Sequence, residues 1–473
     1  MLRTLFRDGA VYTIPAIFTR GLSLLLVPLY TRVLSPVDYG SLDLLMVFAS
    51  IVNLTVALEV SQGLARFYSS ESDVASKIDY ASSAFWFTLV CYSLFAVVAL
   101  VYSEGLAEVV IGRKGLVTVF RIGIIYIWIN GIFNFIQNQF RWESRSKRYA
   151  TVSLLVTSST AFVAIVLIYL LRWALEGLLV GMVVGLTVGV VYGLWYSRDS
   201  FKFRFNSARL RTMLSFSIPL VPSGIAVFVS AYIDRLMINN FLTTNDVGIY
   251  GIAFRLAGIV GLVIEGFQSA LTPLVYAHHR DQKTPDHLAQ IFRLFISFAL
   301  LTFISVTLFS HEILVLMTTP AYYSAASLTI FMVPAIFLSN MYIFAPGISI
   351  ANKNHFILFI NMFGAIAHIL FNFILIPLYG INGAAISAML GYGLIFAIYM
   401  IFSQKLYFVP HEWVRLLVAT LLIALLTIFI PHRTLVVFKI IAIIIAIIIV
   451  MITGLIRKSE LFSLMLIVKR CGL

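Results

Sequence analysis

The sequence predicts an all-α polytopic membrane protein with about fourteen transmembrane helices. Its 473 residues are 61% hydrophobic and only 11% charged, and the mean hydropathy is +1.00. A soluble protein carries about a quarter charged residues. Apolar runs of about twenty residues, the length that crosses a bilayer as a helix, recur from end to end. A soluble multidomain fold is therefore excluded.

The first apolar run is interpreted as a membrane span and not as a cleavable signal peptide. It contains Pro15 and Arg20 and lacks a small-residue cleavage site. Further apolar windows of about twenty residues follow to the end of the chain. The predicted spans are centred near Leu22, Ile51, Thr88, Tyr126, Phe162, Gly185, Gly224, Ile259, Phe298, Pro334, Ala365, Gly391, Leu422 and Ile445.

The formal net charge of +13 reflects where the Lys and Arg residues lie relative to the membrane. With the N-terminus placed inside, 23 of the 33 Lys and Arg residues fall in inside segments and 8 in outside segments, while Arg20 and Arg255 lie within spans. An excess of Lys and Arg marks the cytoplasmic side, so both termini are predicted to be cytoplasmic. These charges lie where anionic membrane lipids attract them, and no nucleic-acid partner is expected.

Chemistry in an aqueous domain is not expected. The longest loop, from Ser197 to Thr212, has only about sixteen residues. The two cysteines, Cys91 and Cys471, have neither a disulfide framework nor metal-ligand spacing. The sequence therefore predicts no enzyme, no metal site and no bound cofactor.

The chain contains an internal repeat with a nearly constant offset of 206 to 208 residues. Four segments in the first half recur in the same order in the second half, which a chance match would rarely produce. The pairs are Leu34–Gly40 with Leu242–Gly248, Glu59–Gln62 with Glu265–Gln268, Arg145–Ala150 with Asn352–Ile357, and Glu176–Val180 with Asn382–Ile386.

The offset covers six spans and their linkers, so the sequence predicts two six-helix repeats followed by two additional helices. Because six is even, the repeats run parallel and are related by an axis along the membrane normal. This arrangement is typical of transporters with a substrate site between the halves. The predicted division is 1–197 for the first repeat, 198–212 for a cytoplasmic linker, 213–404 for the second repeat, and 405–473 for the two additional helices and a cytoplasmic tail.

Several segments resemble the polysaccharide repeat-unit flippases, the O-antigen and capsule translocases of the multidrug/oligosaccharidyl-lipid/polysaccharide transporter superfamily. The longest is DRLMINNFLTTNDVGIYGIAFRL, from Asp234 to Leu256. Others are YTRVLSPVDYGSLDL from Tyr30, GLARFY from Gly63 and YGINGAA from Tyr379. The likeness covers essentially the whole chain.

The resemblance implies a multi-pass transporter of the bacterial inner membrane with a V-shaped, alternating-access fold. Such a flippase moves undecaprenyl-diphosphate-linked oligosaccharide from the cytoplasmic to the periplasmic leaflet for O-antigen, lipopolysaccharide or capsule biosynthesis. A proton or sodium gradient could drive the movement. A glycan polymerase and a chain-length regulator are the partners that the family implies.

The resemblance also implies a cationic cavity in which arginines bind the lipid diphosphate, and Arg20 and Arg255 fit that role. Helical rise places them roughly 15 and 12 Å into spans 1 and 8, where an arginine costs about 2.5–3.5 kcal/mol. Guanidinium stays charged and offers forked donors to phosphate oxygens. No acid lies at the same depth in either span, which favours phosphate binding over a structural ion pair. Arg32 could contact emerging substrate or act as a snorkelling anchor.

Three acids are candidates for ion coupling. Glu59 and Glu265 begin the repeated Glu-x-x-Gln pattern, whose i, i+3 spacing places both side chains on one helix face. Asp43, near the outer end of span 2, is the third. A solvated interfacial carboxylate is the alternative for each glutamate. Asp234 and Arg235 are expected to cap and orient the turn into span 8.

Aromatic residues in span 4 leave two interpretations open. Tyr126, Trp128, Phe133 and Phe135 could stack on sugars or anchor the helix at the membrane interface. His368 in span 11 is expected to be a packing residue, because no further ligand stands at metal spacing.

Three other functions remain as alternatives. A cation-coupled multidrug exporter of the same superfamily would share the fold, but cationic substrates favour buried acids over deep arginines. A membrane glycan polymerase or ligase would normally display a large outside loop, which this sequence lacks. A pore or scaffold without turnover is not favoured by the six-plus-six repeat.

Overall fold

The computed structural model describes residues 21, 26–113, 115–278, 281–351, 353, 355–431 and 434–457, with the backbone alone at 262–263, 265–274 and 276–278. Over these ranges the chain forms helices and turns and no β-strand. Cα packing divides the chain into two compact units, Met1–Gly251 and Ile252–Leu473. Ten helical segments of the described chain are long and apolar enough to cross a bilayer.

The first unit contains long apolar helices joined by short turns, with the helical residues 26–31 preceding them. A short helix of mixed polarity, α8, leads into the last long helix of the unit. The elements are α1 (Pro36–Thr55), α2 (Val60–Ser70), α3 (Val74–Val101), α4 (Ser103–Ile111), α5 (Val117–Trp142), α6 (Ser146–Tyr169), α7 (Leu175–Ser197), α8 (Ser207–Ser217), α9 (Leu220–Phe241) and the start of α10 (Thr244–His278).

The second unit begins within α10 and follows the same pattern, with one span made of short helical pieces. Two apolar helices of 17 residues each end the described part. The elements are α11 (Thr284–Leu308), α12 (Ser310–Met317), a 3₁₀ segment (Pro320–Leu328), α13 (Thr329–Asn340), a second 3₁₀ segment (Met341–Phe344), α14 (Gly347–Ile350), α15 (His355–Tyr379), α16 (Ile381–Leu406), α17 (Trp413–Phe429) and α18 (Val436–Ile452).

These helices confirm the predicted all-α membrane fold. Thirteen of the fourteen predicted span centres, from Ile51 to Ile445, fall inside a described helix. The remaining centre, near Leu22, lies outside the described residues. The division into two repeats, linker and additional helices stays a prediction from the internal repeat.

Two predicted spans are not continuous α-helices. The second ends as α1 at Thr55, and Leu58 and Glu59 then adopt left-handed φ values of 50° and 53° before α2 begins. Such φ values cost about 1–3 kcal/mol each for residues other than glycine. The tenth is divided between α13, which contains Pro334, and flanking 3₁₀ segments. Hydropathy averages composition over a window, so it does not detect either break.

The internal repeat reappears as two matching helix starts. At the start of α1, the Ser35 hydroxyl donates to Asp38 Oδ2 at 2.7 Å and accepts from the Asp38 amide at 3.2 Å. At the start of α10, Thr243 and Asp246 make the same pair of hydrogen bonds at 2.6 and 3.3 Å. Such capping boxes satisfy backbone groups that a helix start leaves unpaired. The recurring Leu-x-x-x-Asp-x-Gly pattern thus encodes the same capped helix start in both repeats.

The two helix starts pack against each other through the repeated glycines, Gly40 and Gly248. A Cβ built on Gly40 collides with the backbone oxygen of Thr244, and one built on Gly248 collides with that of Pro36. Thr244 is the repeat counterpart of Pro36, so the two contacts are reciprocal. Both positions therefore require glycine for close backbone approach.

We expect Gly248→Ala to destabilise the protein strongly, because a methyl group cannot occupy space held by the Pro36 carbonyl. Thermal unfolding of the purified protein in detergent measures the effect. Gly105→Ala is the matched control, since nothing lies within 4 Å of a Cβ on Gly105. Replacing a helical glycine by alanine there should leave stability unchanged or raise it. Equal melting temperatures for both variants would contradict the close packing.

The last helix, α18, is attached to the rest of the second unit by buried charges. Lys439 of α18 is fully buried, its Nζ lies 2.5 Å from Glu312 Oε1, and it also lies 5.6 Å from the Phe309 ring centre. At the opposite end, buried Arg293 of α11 donates to the Gly454 and Leu455 carbonyl oxygens at 2.8 and 3.2 Å. Because buried charges are stable only when paired, these contacts fix α18 against α11 and α12.

The loop between α16 and α17 contains a half-buried histidine, His411. Its ring lies 4.6 Å from that of Phe292 and 5.1 Å from that of Trp413, measured between ring centres. Both ring nitrogens are shielded from solvent and make no hydrogen bond within the described chain. Burial penalises the charged imidazolium and lowers the pKa of His411 to about 4.

This depressed pKa makes stability depend on pH. An unfolded His411 binds a proton near its ordinary pKa of about 6.5, whereas the folded one binds it only near 4. The unfolded state therefore gains protons first, and stability falls as pH decreases between these values. His411→Phe removes this titration, so its melting temperature should fall less between pH 7 and pH 5 than that of the wild type. The exposed His287, changed to Phe, serves as control; parallel losses in wild type and His411→Phe would contradict the assignment.

Candidate functional site

The predicted phosphate-binding arginines fall in different parts of the chain. Arg255 lies in α10, eleven residues or roughly 16 Å of helical rise from its start. Its side chain is half-buried and interacts with other groups of the chain. Arg20 lies outside the described residues. Arg32 is exposed in the turn before α1 and makes no hydrogen bond or ion pair with the described chain.

The predicted coupling acids also differ in their surroundings. Glu59 stands in the left-handed turn between α1 and α2, where the Gln62 side chain hydrogen-bonds its carboxylate. Its repeat counterpart Glu265 lies on the uninterrupted backbone of α10, and its side chain lies outside the described part. The two copies of the pattern therefore have different backbones, although their spacing is identical. Their coupling role stays a prediction.

Asp43 has a partner that sequence reasoning did not assign. In the first unit, its Oδ2 lies 2.9 Å from Arg235 Nε of α9, and the two side chains are only 13% and 4% exposed. Arg235 also donates to the Ala231 carbonyl oxygen at 3.1 Å. A Cβ on Gly251 would lie 3.1 Å from Asp43 Oδ2, so this glycine leaves room for the carboxylate. The pair joins α1 to α9 inside the membrane region.

The neighbouring Asp234 joins α9 to a third helix. Its Oδ2 accepts a 2.7 Å hydrogen bond from the Tyr250 hydroxyl of α10, and both residues are buried. The guanidinium of Arg235 lies 5.5 Å from the ring centre of Tyr250. Asp234 and Arg235 thus orient α9 against its neighbours, as expected. The expectation that they cap the next helix is wrong: they lie inside α9, and Thr243 and Asp246 form the cap.

A second polar feature of the first unit was missed at the sequence level. Asn130, Asn134 and Asn138 stand at i, i+4 and i+8 in α5, which places them along one side of the helix. All three are half-buried, and none makes a side-chain hydrogen bond within the described chain. We call these three residues the asparagine face. Its sequence signal was a four-residue spacing of amides in an apolar run.

The aromatic residues of α5 divide according to burial. Phe133 and Phe135 are 6% and 4% exposed and belong to the core, so stacking on a sugar is excluded for them in this conformation. Trp128 is half-buried and donates to Ser93 Oγ at 3.1 Å. Tyr126 is half-buried one turn before Asn130. Only Tyr126 therefore extends the asparagine face.

Metal chemistry finds no support among the described residues. No group of three or more His, Cys, Asp or Glu side chains converges there as a metal site would require. His368 packs 5.8 Å from the Tyr392 ring centre inside the second unit. The described polar groups thus suit ion pairing and hydrogen bonding.

The long helices and buried membrane-region charges define a multi-pass membrane protein, and its fold is that of transporters of the MOP superfamily. An inward-facing multidrug resistance MATE family transporter of that superfamily has a TM-score of 0.69 at 16% identity, covering 84% of this chain and 97% of its own. A mutant of the Vibrio cholerae MATE transporter VcmN gives 0.61 at 14%, covering 85% and 97%. A Pyrococcus furiosus MOP superfamily transporter, described as having a binding pocket of reverse polarity, gives 0.60 at 16%, covering 84% and 95%. At these identities the likeness concerns the fold alone.

Residues 29–342 match the family of polysaccharide biosynthesis proteins, and the chain belongs to that family. A relative, the Lsg locus putative protein 1 of Haemophilus influenzae (strain ATCC 51907 / DSM 11121 / KW20 / Rd), is 22% identical over 288 residues. This alignment covers 59% of the present chain and 67% of the relative. The family match includes Asp43, Arg235, Arg255 and the asparagine face.

The Asp43–Arg235 pair should contribute strongly to stability. Removing one partner leaves the other charge buried and unpaired, which typically costs about 3–5 kcal/mol. Arg235→Met should therefore lower the melting temperature markedly, and adding Asp43→Asn to it should restore part of the loss. Unfolding in detergent, followed by tryptophan fluorescence, measures both variants.

Arg121 provides a matched control, because its ion pair with Glu104 is long, 4.0 Å, and exposed. Exposed pairs contribute little, and Arg121 otherwise donates only one hydrogen bond within the described chain, to Ser103 Oγ at 2.9 Å. Arg121→Met should therefore lower the melting temperature much less than Arg235→Met. The buried-pair interpretation is wrong if Arg235→Met and Arg121→Met are equally stable, or if the double substitution gives no recovery.

Proposed function

We propose that this protein is a flippase for undecaprenyl-diphosphate-linked oligosaccharide repeat units in the bacterial inner membrane. It moves them from the cytoplasmic to the periplasmic leaflet by ion-coupled alternating access, for O-antigen or capsule biosynthesis. Both termini are cytoplasmic in this proposal. A glycan polymerase and a chain-length regulator act on the delivered units. The flippase itself performs no covalent step.

Family and fold support different halves of the proposal. Membership of the polysaccharide biosynthesis family supports a glycan-bearing substrate. The MOP fold suits movement of a substrate across the bilayer. Neither identifies the group by which the substrate is bound, and that part of the proposal depends on specific side chains.

Arg255 is the observation that carries the diphosphate assignment. Its position deep within α10 is costly for an arginine unless the charge has a use. Guanidinium binds phosphate oxygens with two parallel hydrogen bonds and stays ionised at every physiological pH. In the proposal, Arg20 is the second diphosphate ligand and Arg32 contacts the substrate as it emerges.

Ion coupling is assigned to Glu59, Glu265 and Asp43, with protons or sodium ions as the driving species. Asp43 is ion-paired with Arg235 in this conformation. A coupling role for Asp43 therefore requires the pair to separate during the transport cycle. Glu59 occupies a strained turn between two helices, where a change of charge could alter the backbone locally.

A cation-coupled multidrug exporter is the second candidate, because solved MATE transporters share the fold. Cationic drugs require acidic or aromatic partners, whereas Arg255 would repel them. One solved MOP superfamily relative is itself described as having a pocket of reverse polarity and a different function. Substrate charge therefore separates the two candidates. A membrane glycan polymerase or ligase stays an alternative of a different class.

Export of lipid-linked glycan in a flippase-deleted strain tests the proposal. Arg255→Ala should reduce surface glycan by at least about tenfold, because a charged hydrogen bond contributes about 1.5–3 kcal/mol. Arg255→Lys should restore part of the activity, since the charge remains and the fork is lost. Surface glycan is quantified by immunoblot at matched protein levels, with Arg20→Ala tested alongside.

Arg121→Ala is the control for loss of an arginine outside the site, and it should export normally. Full export by both Arg255→Ala and Arg20→Ala would show that the diphosphate clamp is wrong. Efflux of a cationic dye by the wild type, without any glycan export, would establish the multidrug alternative.

A further inference from the structure

The asparagine face lies in the second half of α5, a 26-residue helix of the first unit. From Val117, helical rise places Asn130 roughly 20 Å along α5 and the next two asparagines at further steps of about 6 Å. The positions between them, including Ile132, Phe133 and Ile136, are buried in the core. The amides therefore occupy the one half-buried side of an otherwise packed helix segment.

The two glutamines of α5 have side-chain hydrogen-bond partners. Gln137 donates to Ser153 Oγ and Gln139 donates to Glu143 Oε1, each at 2.8 Å. The three asparagines have no such partner in the described chain, and their amide atoms are not sealed from solvent. An unpaired amide in hydrocarbon costs about 4–8 kcal/mol. The asparagine face is therefore suited to water or a polar ligand and not to lipid chains.

A half-buried asparagine of α1, Asn53, is linked to α5 through a tyrosine. The Tyr92 ring packs against the backbone of Gly131, where a Cβ would collide with it. From that position the Tyr92 hydroxyl donates to Asn53 Oδ1 at 2.9 Å. The absence of a side chain at Gly131 thus makes room for the Tyr92 ring that holds Asn53.

We propose that the asparagine face, together with Tyr126 one turn before it, binds the sugar portion of the substrate. The proposal rests on the flippase function and adds the residues that recognise the glycan. An amide offers two donors and an acceptor with two lone pairs, which matches hydroxyl groups that both donate and accept. The face contains no charged side chain, so a phosphate or a cation has no electrostatic partner on it.

The asparagine spacing suits a chain of sugars better than a single small polar molecule. Three amides spread over about 12 Å of helix can contact successive sugar rings. In this arrangement different side chains bind the two ends of the substrate. Arginines bind the diphosphate, and neutral amides bind the glycan. Changes in the asparagine face should then alter selectivity among glycans without abolishing binding of the lipid diphosphate.

Binding of two lipids to the purified full-length protein in detergent tests this assignment. One is the lipid-diphosphate-linked oligosaccharide extracted from polymerase-deleted cells, and the other is the same polyprenyl diphosphate without sugar. Wild type should bind the glycosylated lipid more tightly. In the triple variant Asn130→Ala/Asn134→Ala/Asn138→Ala, that preference should fall by at least about tenfold, from three lost hydrogen bonds. Affinity for the bare lipid diphosphate should stay unchanged.

Asn361→Ala is the matched control, because Asn361 is also a half-buried asparagine of a membrane helix but lies in the second unit, outside the asparagine face. It should retain the full preference for the glycosylated lipid. If the triple variant does not insert, the three single alanine variants replace it, each with a loss of about threefold.

Each other outcome overturns the assignment in a distinguishable way. A preference that survives in the triple variant, or equal wild-type affinity for the two lipids, refutes glycan recognition here and leaves the flippase function standing. No wild-type binding of either lipid refutes the flippase function and the asparagine face together. A triple variant whose oligomeric state on size-exclusion chromatography differs from that of the wild type overturns the assignment and assigns the amides to helix association.

Discussion

The constraint on which the rest of this structure depends is the cost of an unpaired polar group in hydrocarbon. The backbone meets it by forming helices, and capping boxes satisfy the starts of α1 and α10. The buried charges avoid this cost by forming ion pairs, Asp43 with Arg235 and Lys439 with Glu312. Against this background, three unpaired amides on one helix stand out. The cost of an unpaired polar group explains why the buried charges are paired, and it also supports a ligand-binding role for the three unpaired amides.

Much of the fold could be predicted from sequence because hydrophobicity sets membrane spans directly. The long described helices lie where apolar runs indicated them, and the repeated capping sequence recurs as repeated structure. The short helix α8, of mixed polarity, begins within the segment predicted as the longest loop. Local backbone geometry was not predictable in this way. The left-handed residues Leu58 and Glu59 have no composition signal, since neither is glycine. Helix breaks of this kind depend on tertiary packing, which a window average does not contain.

The site was less predictable than the fold for a related reason. An arginine within a long apolar run is conspicuous in a sequence, and Arg255 was identified on that basis. Partner choice depends on three-dimensional neighbours, so the pairing of Asp43 with Arg235, 192 residues away, was not apparent. The asparagine face was overlooked because each amide alone resembles an ordinary interfacial residue. Only burial and hydrogen-bond partners separate those three amides from Gln137 and Gln139.

The reciprocal contact of Gly40 with Gly248 carries a consequence for the origin of the chain. Gly40 packs against the backbone of the helix start that contains Gly248, and Gly248 packs against the backbone of the helix start that contains Gly40. Such reciprocal contacts occur at the twofold axis of a symmetric dimer. A six-helix ancestor with this turn could have paired with an identical copy before gene duplication and fusion. After fusion, the sequences of the two halves would be able to diverge independently. Asp43 and its counterpart Gly251 illustrate this, because the carboxylate of one copy occupies the space left by the other.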